Sequence, residues 1–188
     1  MPPTADRPVS QAAIREAARR LFARKGFHAT KVEEIAQAAG VAKGTVYLYY
    51  ETKLDILRDL ITAEIGSLCR SLEALRARPP REALQEAYRL LAERALRYSE
   101  EGSPLLLREI YGLPEEFQAQ VRALKEPLLE ILEEIVERAR PKHGSPRFLA
   151  FLILSIVGAV VHREWVPLPG EPEEVVTEGW RALSYFFS

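Results

Sequence analysis

One period runs through almost the whole chain. Apolar residues recur every three to four positions, and no stretch alternates apolar with polar residues as a half-buried strand would. This confines the fold to the all-α class and makes the helix boundaries the informative part of the sequence. Ile14, Ala17, Ala18, Leu21 and Phe22 mark one face of a first helix that stops near Gly26. Thr30-Lys31-Val32-Glu33 reads as a capping box opening a short second helix, with Ile35 and Ala36 inward and Gly40 closing it. A third short helix runs roughly from 43 to 50. Thr52-Lys53-Leu54-Asp55 reads as another box, opening a long fourth helix striped by Leu54, Leu57, Ile61, Ile65, Leu68, Leu72 and Leu75.

The remainder repeats this logic. A helix over about 81–100 carries Leu84, Tyr88, Leu91, Ala95 and Tyr98, and Ser103-Pro104 starts a short one. Phe117 to Ala139 stripes a long helix with a kink expected at Pro127. Ser145-Pro146 opens the apolar run "FLAFLILSIVGAVV", and an amphipathic helix ends the chain. About nine helices result. They divide into a mobile arm at 1–9, a three-helix head at 10–53 and a helical body at 54–188.

Charge separates the head from the body. Nine basic and five acidic residues give Met1–Lys53 a net charge of +4, and the rest carries −5. A basic head on an acidic body implies an anionic partner for the head alone. The single cysteine, Cys69, excludes an internal disulfide and a cysteine-built metal site, and fits a reducing cytoplasm. No signal peptide is expected, because "MPPTADRPVS" lacks an apolar core. The 14-residue apolar run is too short to span a bilayer, so no membrane partner is expected either. An enzyme is not expected: His28, His143 and His162 are scattered, and no nucleophile elbow, P-loop or dinucleotide fingerprint occurs. No cofactor or metal is implied.

Two short helices joined by "AAGVA" form a helix-turn-helix, the second of a size to lie in a DNA major groove about 12 Å wide. Ala36, Gly40 and Val46 supply the close corner. Lys43, Gly44, Thr45, Tyr47, Leu48 and Tyr49 are left to face outward.

Here the chain resembles a known family. "IREAARRLFARKGFHATKVEEIAQAAGVAKGTVYLYYETKLDIL", residues 14–57, is similar to the N-terminal domain of TetR-family bacterial transcriptional regulators: the first-helix pattern, T-x-x-x-x-I-A, G-V-x-K-G-T-x-Y and the following Lys fall in register. The resemblance implies that Lys43 and Thr45 meet base edges and nearby phosphates, with Gly44 permitting close approach. It also implies that Tyr47 gives its hydroxyl to a phosphate, with Tyr49 as a second candidate. Thr30 at one helix start and Lys53 at another offer further phosphate contacts. Three positions depart from the pattern: Leu48 replaces a His, Tyr or Trp, Ala42 replaces a capping Ser, and Tyr50 replaces an inward Phe.

In the body, Ala150, Ser155, Gly158 and Ala159 are small enough for close helix approach, and Trp180, Leu183 and Phe187 crowd the C-terminus. By analogy with the family these form a homodimer's four-helix interface, which sets two heads on a palindromic operator. The family also implies a small-molecule effector. Candidate pocket residues are Tyr88, Tyr98, Arg108, Tyr111, Phe117, Phe151 and His162, a lining suited to an acyl-CoA, a fatty acid or an aromatic acid. The expected function is a sequence-specific transcriptional repressor released from operator DNA by that effector. An effector-independent regulator, or an activator, would carry an identical head.

Overall fold

The computed structural model describes residues 11–100, 109, 112–163 and 167–187. The regular elements among these residues are all helices, with no strand. The helices are α1 (Gln11–Lys25), α2 (Val32–Ala39), α3 (Lys43–Tyr49), α4 (Lys53–Glu73), α5 (Pro80–Glu100), α6 (Glu115–Leu124), α7 (Glu126–Arg138), α8 (Pro146–Val161) and α9 (Pro172–Ser184), with 3-10 turns at Ala74–Ala77 and Tyr185–Phe187. No helix among the described residues is long and apolar enough to cross a membrane. The expected arm at 1–9 and the short helix at Ser103-Pro104 lie outside the described residues.

The chain divides into two compact units, one ending at Ala63 and the other beginning at Glu64. The division falls later than residue 53, because Ile56, Leu57 and Leu60 in the first turns of α4 are buried and extend the apolar content of the first unit. The core there is Ile14, Ala17, Ala18, Leu21 and Phe22 of α1, as the period predicts, with Phe27, Ile35, Ala36, Val46 and Tyr50. Ile14, Phe22 and Ile35 are fully enclosed, and each contributes about 1.5–3 kcal/mol by leaving water.

The second unit is a bundle centred on α8, which packs against α5, α7 and α9. Ser145 caps α8 by accepting the Phe148 N–H at 3.2 Å, with Pro146 in the first turn. Across the bundle, Arg147 ties α8 to α7 through Glu126 at 2.5 Å and Glu133 at 3.0 Å. The predicted long helix from Phe117 divides at Lys125 into α6 and α7. Pro127 lies in the first turn of α7, where its missing N–H is tolerated, whereas the interior of one continuous helix would have no place for it.

Candidate nucleic-acid interface

The turn between α2 and α3 is set by Gly40. Its φ of 73° is left-handed, and it ends α2 with paired bonds, Gly40 N–H to Gln37 O at 3.1 Å and Val41 N–H to Ala36 O at 2.9 Å. A β-carbon on Gly40 would touch nothing within 4 Å, so backbone conformation alone requires glycine there. α3 then follows with Ala42 at its N-cap, extended at φ −69°, ψ 148° and without a side-chain cap.

Inside this corner Val46 and Tyr50 point inward. The Tyr50 hydroxyl donates to Asp59 at 2.5 Å, and the same carboxylate oxygen takes Arg15 at 3.1 Å. Burial first, and the bond to Asp59 next, raise the Tyr50 phenol well above its ordinary range. Asp59 went unnoticed in the sequence. The signal was Tyr50 itself, a tyrosine where the family pattern has Phe, which implies a partner for its hydroxyl.

Outside the corner stand Tyr47 at 46%, Leu48 at 83% and Tyr49 at 46% exposure, three large side chains in succession. Lys43 and Gly44 are exposed beside them and Thr45 is half-buried. A β-carbon on Gly44 would meet nothing within 4 Å, so the start of α3 is open to a close-fitting partner. Lys43 Nζ lies 2.5 Å from Glu33 Oε1 and 5.7 Å from the Tyr47 ring centroid.

Two predicted phosphate contacts face elsewhere. Thr30 is 1% exposed and donates its hydroxyl to Gly26 O at 2.6 Å. The cap of α2 is one residue later than the sequence suggests. Lys31 is the N-cap, and its N–H donates to Glu34 Oε2 at 2.8 Å, which leaves Glu33 free of capping. Lys53 spends its ammonium on the irregular loop after α1, donating to the carbonyls of Phe27 at 2.6 Å, His28 at 3.2 Å and Thr30 at 2.8 Å. An ammonium has three N–H donors, so this arrangement leaves none for DNA. The second box stands: the Thr52 N–H donates to Asp55 Oδ2 at 2.8 Å and the Thr52 hydroxyl oxygen accepts the Asp55 N–H at 3.2 Å, which together cap α4.

The fold and this outward-facing helix are joined by independent likeness. A family model described as "Bacterial regulatory proteins, tetR family" matches residues 14–60. Over these residues the chain is similar to the TetR family of bacterial regulatory proteins. Over 60 residues it is 42% identical to the fatty acid metabolism regulator protein of Bacillus subtilis, 32% of this chain and 31% of that relative. This chain thus spans about a third of the length of the curated relatives it matches at the head. FadR of Bacillus subtilis, solved with stearoyl-CoA, superposes at TM-score 0.72 over 95% of this chain and 98% of its own, at 21% identity. FadR of Thermus thermophilus, a repressor solved with lauroyl-CoA, gives TM-score 0.60 over 93% of each chain at 26% identity. Each of these similar proteins is described as a regulator.

Several body residues differ from their predicted places. Ala150, Leu183 and Phe187 are buried in the core of the unit, so they cannot themselves form the dimer surface; α8 lies at the bundle centre and its inner face is consumed by α5, α7 and α9. Trp180 is half-buried, its ring 5.2 Å from Tyr88. Ser155 is exposed, a β-carbon on Gly158 would meet nothing within 4 Å, and Ala159 is half-buried. Phe151 is 58% exposed and joins Phe148 on the outer face of α8, which removes it from any interior pocket. Among the other pocket candidates, Tyr88 and Phe117 are buried, and Tyr98 and His162 are half-buried. Burial, with the Lys125 charge behind it, lowers the His162 pKa. Arg108 and Tyr111 lie outside the described residues. Tyr88 lines an open groove of about 310 Å³ between α5 and α9, with Ala92, Leu96, Val176 and Trp180. Its hydroxyl donates to Val176 O at 2.7 Å, and burial pushes its pKa up to about 12.

Proposed function

We propose that this chain is a homodimeric transcriptional repressor that reads a palindromic operator in the cytoplasm with α3 and leaves it on binding an acyl-CoA. The observation that carries the reading is the outward run Tyr47-Leu48-Tyr49 on a seven-residue helix whose inward anchors, Val46 within it and Tyr50 at its C-cap, are almost wholly buried. A solvated helix gains nothing by exposing so much apolar surface, whereas a major groove offers thymine methyls to Leu48 and phosphates to the tyrosine hydroxyls. Lys43, Gly44 and Thr45 complete the reading face.

Dimerisation uses the outer side of α8, where Phe148, Phe151 and Ser155 are exposed in one stripe, together with α9. The acyl-CoA class is supported by the FadR structures and by the fatty acid metabolism regulator, proteins similar to this one. The test is selection of genomic fragments by the purified chain, followed by titration of the recovered duplex complex with acyl-CoAs of graded length. Release by a long-chain acyl-CoA, but not by free CoA, is expected. Binding that no acyl-CoA alters would leave an effector-independent regulator, and an operator lying upstream of a gene that it stimulates would indicate an activator.

A further inference from the structure

The one-residue shift in the cap of α2 has a chemical consequence. With Glu34 reaching back to Lys31, Glu33 turns across to α3 and meets Lys43 at 2.5 Å. Both side chains are about half exposed, at 56% and 49%. The hydrogen bond from Lys43 holds the Glu33 carboxyl below the usual carboxylate range, and the same bond raises the Lys43 ammonium above its own. With the Tyr47 ring on another side, this ammonium is held in place on the face that meets the duplex.

A lone lysine on such a face would favour any phosphate, and phosphates carry no sequence. A phosphate approaching Lys43 instead meets a carboxylate 2.5 Å from the ammonium, so repulsion offsets most of the attraction. An uncharged base edge meets no such penalty. Guanine N7 and O6 are acceptors, and an ammonium that gives one N–H to Glu33 keeps two for them.

We infer that Glu33 is a specificity-determining positioning residue: it neutralises Lys43 toward the DNA backbone and holds it as a donor for a purine edge. Lys43 then contributes to choosing the sequence and little to general affinity for DNA. The inference rests on the reading of α3 as the groove-entering helix.

The test uses the full chain and two labelled duplex probes: a random-sequence pool, and the same pool enriched by rounds of binding to the unaltered protein. Affinities are measured by fluorescence anisotropy across a salt series for the unaltered chain, Glu33→Gln, Lys43→Gln and the double variant. Glu33→Gln should bind the random pool about 3- to 10-fold more tightly at low salt. Its log-affinity slope against log salt should steepen by about 0.9, the equivalent of one phosphate. The enriched pool should gain less, so the ratio of enriched to random affinity falls. Lys43→Gln should lower that ratio while leaving the random-pool slope unchanged, and in its background Glu33→Gln should no longer steepen the slope. An unchanged slope and ratio in Glu33→Gln, or the same slope change without Lys43, would overturn the inference while leaving α3 as the DNA-binding helix. Failure of the unaltered chain to bind either pool would remove that underlying reading as well.

Discussion

Replacing Gly179 by alanine sets helix propensity against packing. Gly179 is buried in α9, and a β-carbon there would stand 2.6 Å from Ile156 Cγ2 and 2.6 Å from the Tyr88 hydroxyl. Non-bonded carbons sit at about 3.5–4.0 Å, so the neighbours must yield by roughly an ångström. The Tyr88 hydroxyl is poorly placed to do so, because it is bonded to Val176 O at 2.7 Å and its ring lies against Trp180. Alanine gains about 1 kcal/mol as the better helix former. Overpacking a close-fitted core costs about 1–3 kcal/mol, and losing the Tyr88 hydrogen bond costs about 1 kcal/mol or more. The balance is a loss of about 2 kcal/mol, which at this chain length lowers the melting temperature by about 4–8 °C. Thermal denaturation followed by circular dichroism, at matched protein concentration, measures it. Adding Tyr88→Phe, which removes the clashing oxygen, should recover part of the loss. A melting temperature equal to or above that of the unaltered chain would refute the packing argument, since propensity would then have outweighed the contact.

Other substitutions test the head. Ala42→Ser supplies the missing cap of α3 on a backbone already extended at φ −69°, so it should stabilise by about 1 kcal/mol, seen as a higher melting temperature. The bonds from Thr52, first that from its hydroxyl, hold the Asp55 carboxyl below its ordinary range. A carboxyl whose folded value is depressed stabilises the protein above its unfolded value, near about 3.9, and that contribution fades as pH falls through the lower folded value. Asp55→Asn should therefore melt below the unaltered chain at neutral pH, and the gap should narrow progressively in acid beneath about pH 4. Tyr47→Ala should weaken binding to every duplex alike, by about fivefold for one lost phosphate bond, whereas Thr45→Ala should change the sequence recovered by selection. Indistinguishable sequence profiles for these two variants would contradict the division of roles.

Much of this was legible in the chain, and the exceptions have physical reasons. The buried face of α1 could be read residue by residue, because its outer face is charged and the period has a clear phase. α8 is apolar all round, so its period gave no phase: Ala150 proved to face inward and Phe151 outward, a choice set by where α5, α7 and α9 pack. In α4 the expected stripe included Leu57 and Leu72, but Ile56 and Leu60 are also buried, since the helix lies on two successive cores. Thr30 reads as the cap of α2 in the sequence, but its hydroxyl is buried on the Gly26 carbonyl, and Lys31 takes the cap position instead. Lys53 looked like a phosphate ligand by its charge, but its long stem carries the ammonium to carbonyls that the loop after α1 leaves without helical partners.

The central claim is that the outer face of α3 enters the groove of a DNA duplex. A photoreactive phenylalanine analogue placed at Leu48, with a second chain carrying it at the exposed Glu137 of α7 as control, tests this by irradiation with the enriched duplex. Cross-linking to DNA from position 48 and none from position 137 is the result expected. No cross-link from 48, or equal yields from both sites, would contradict the account.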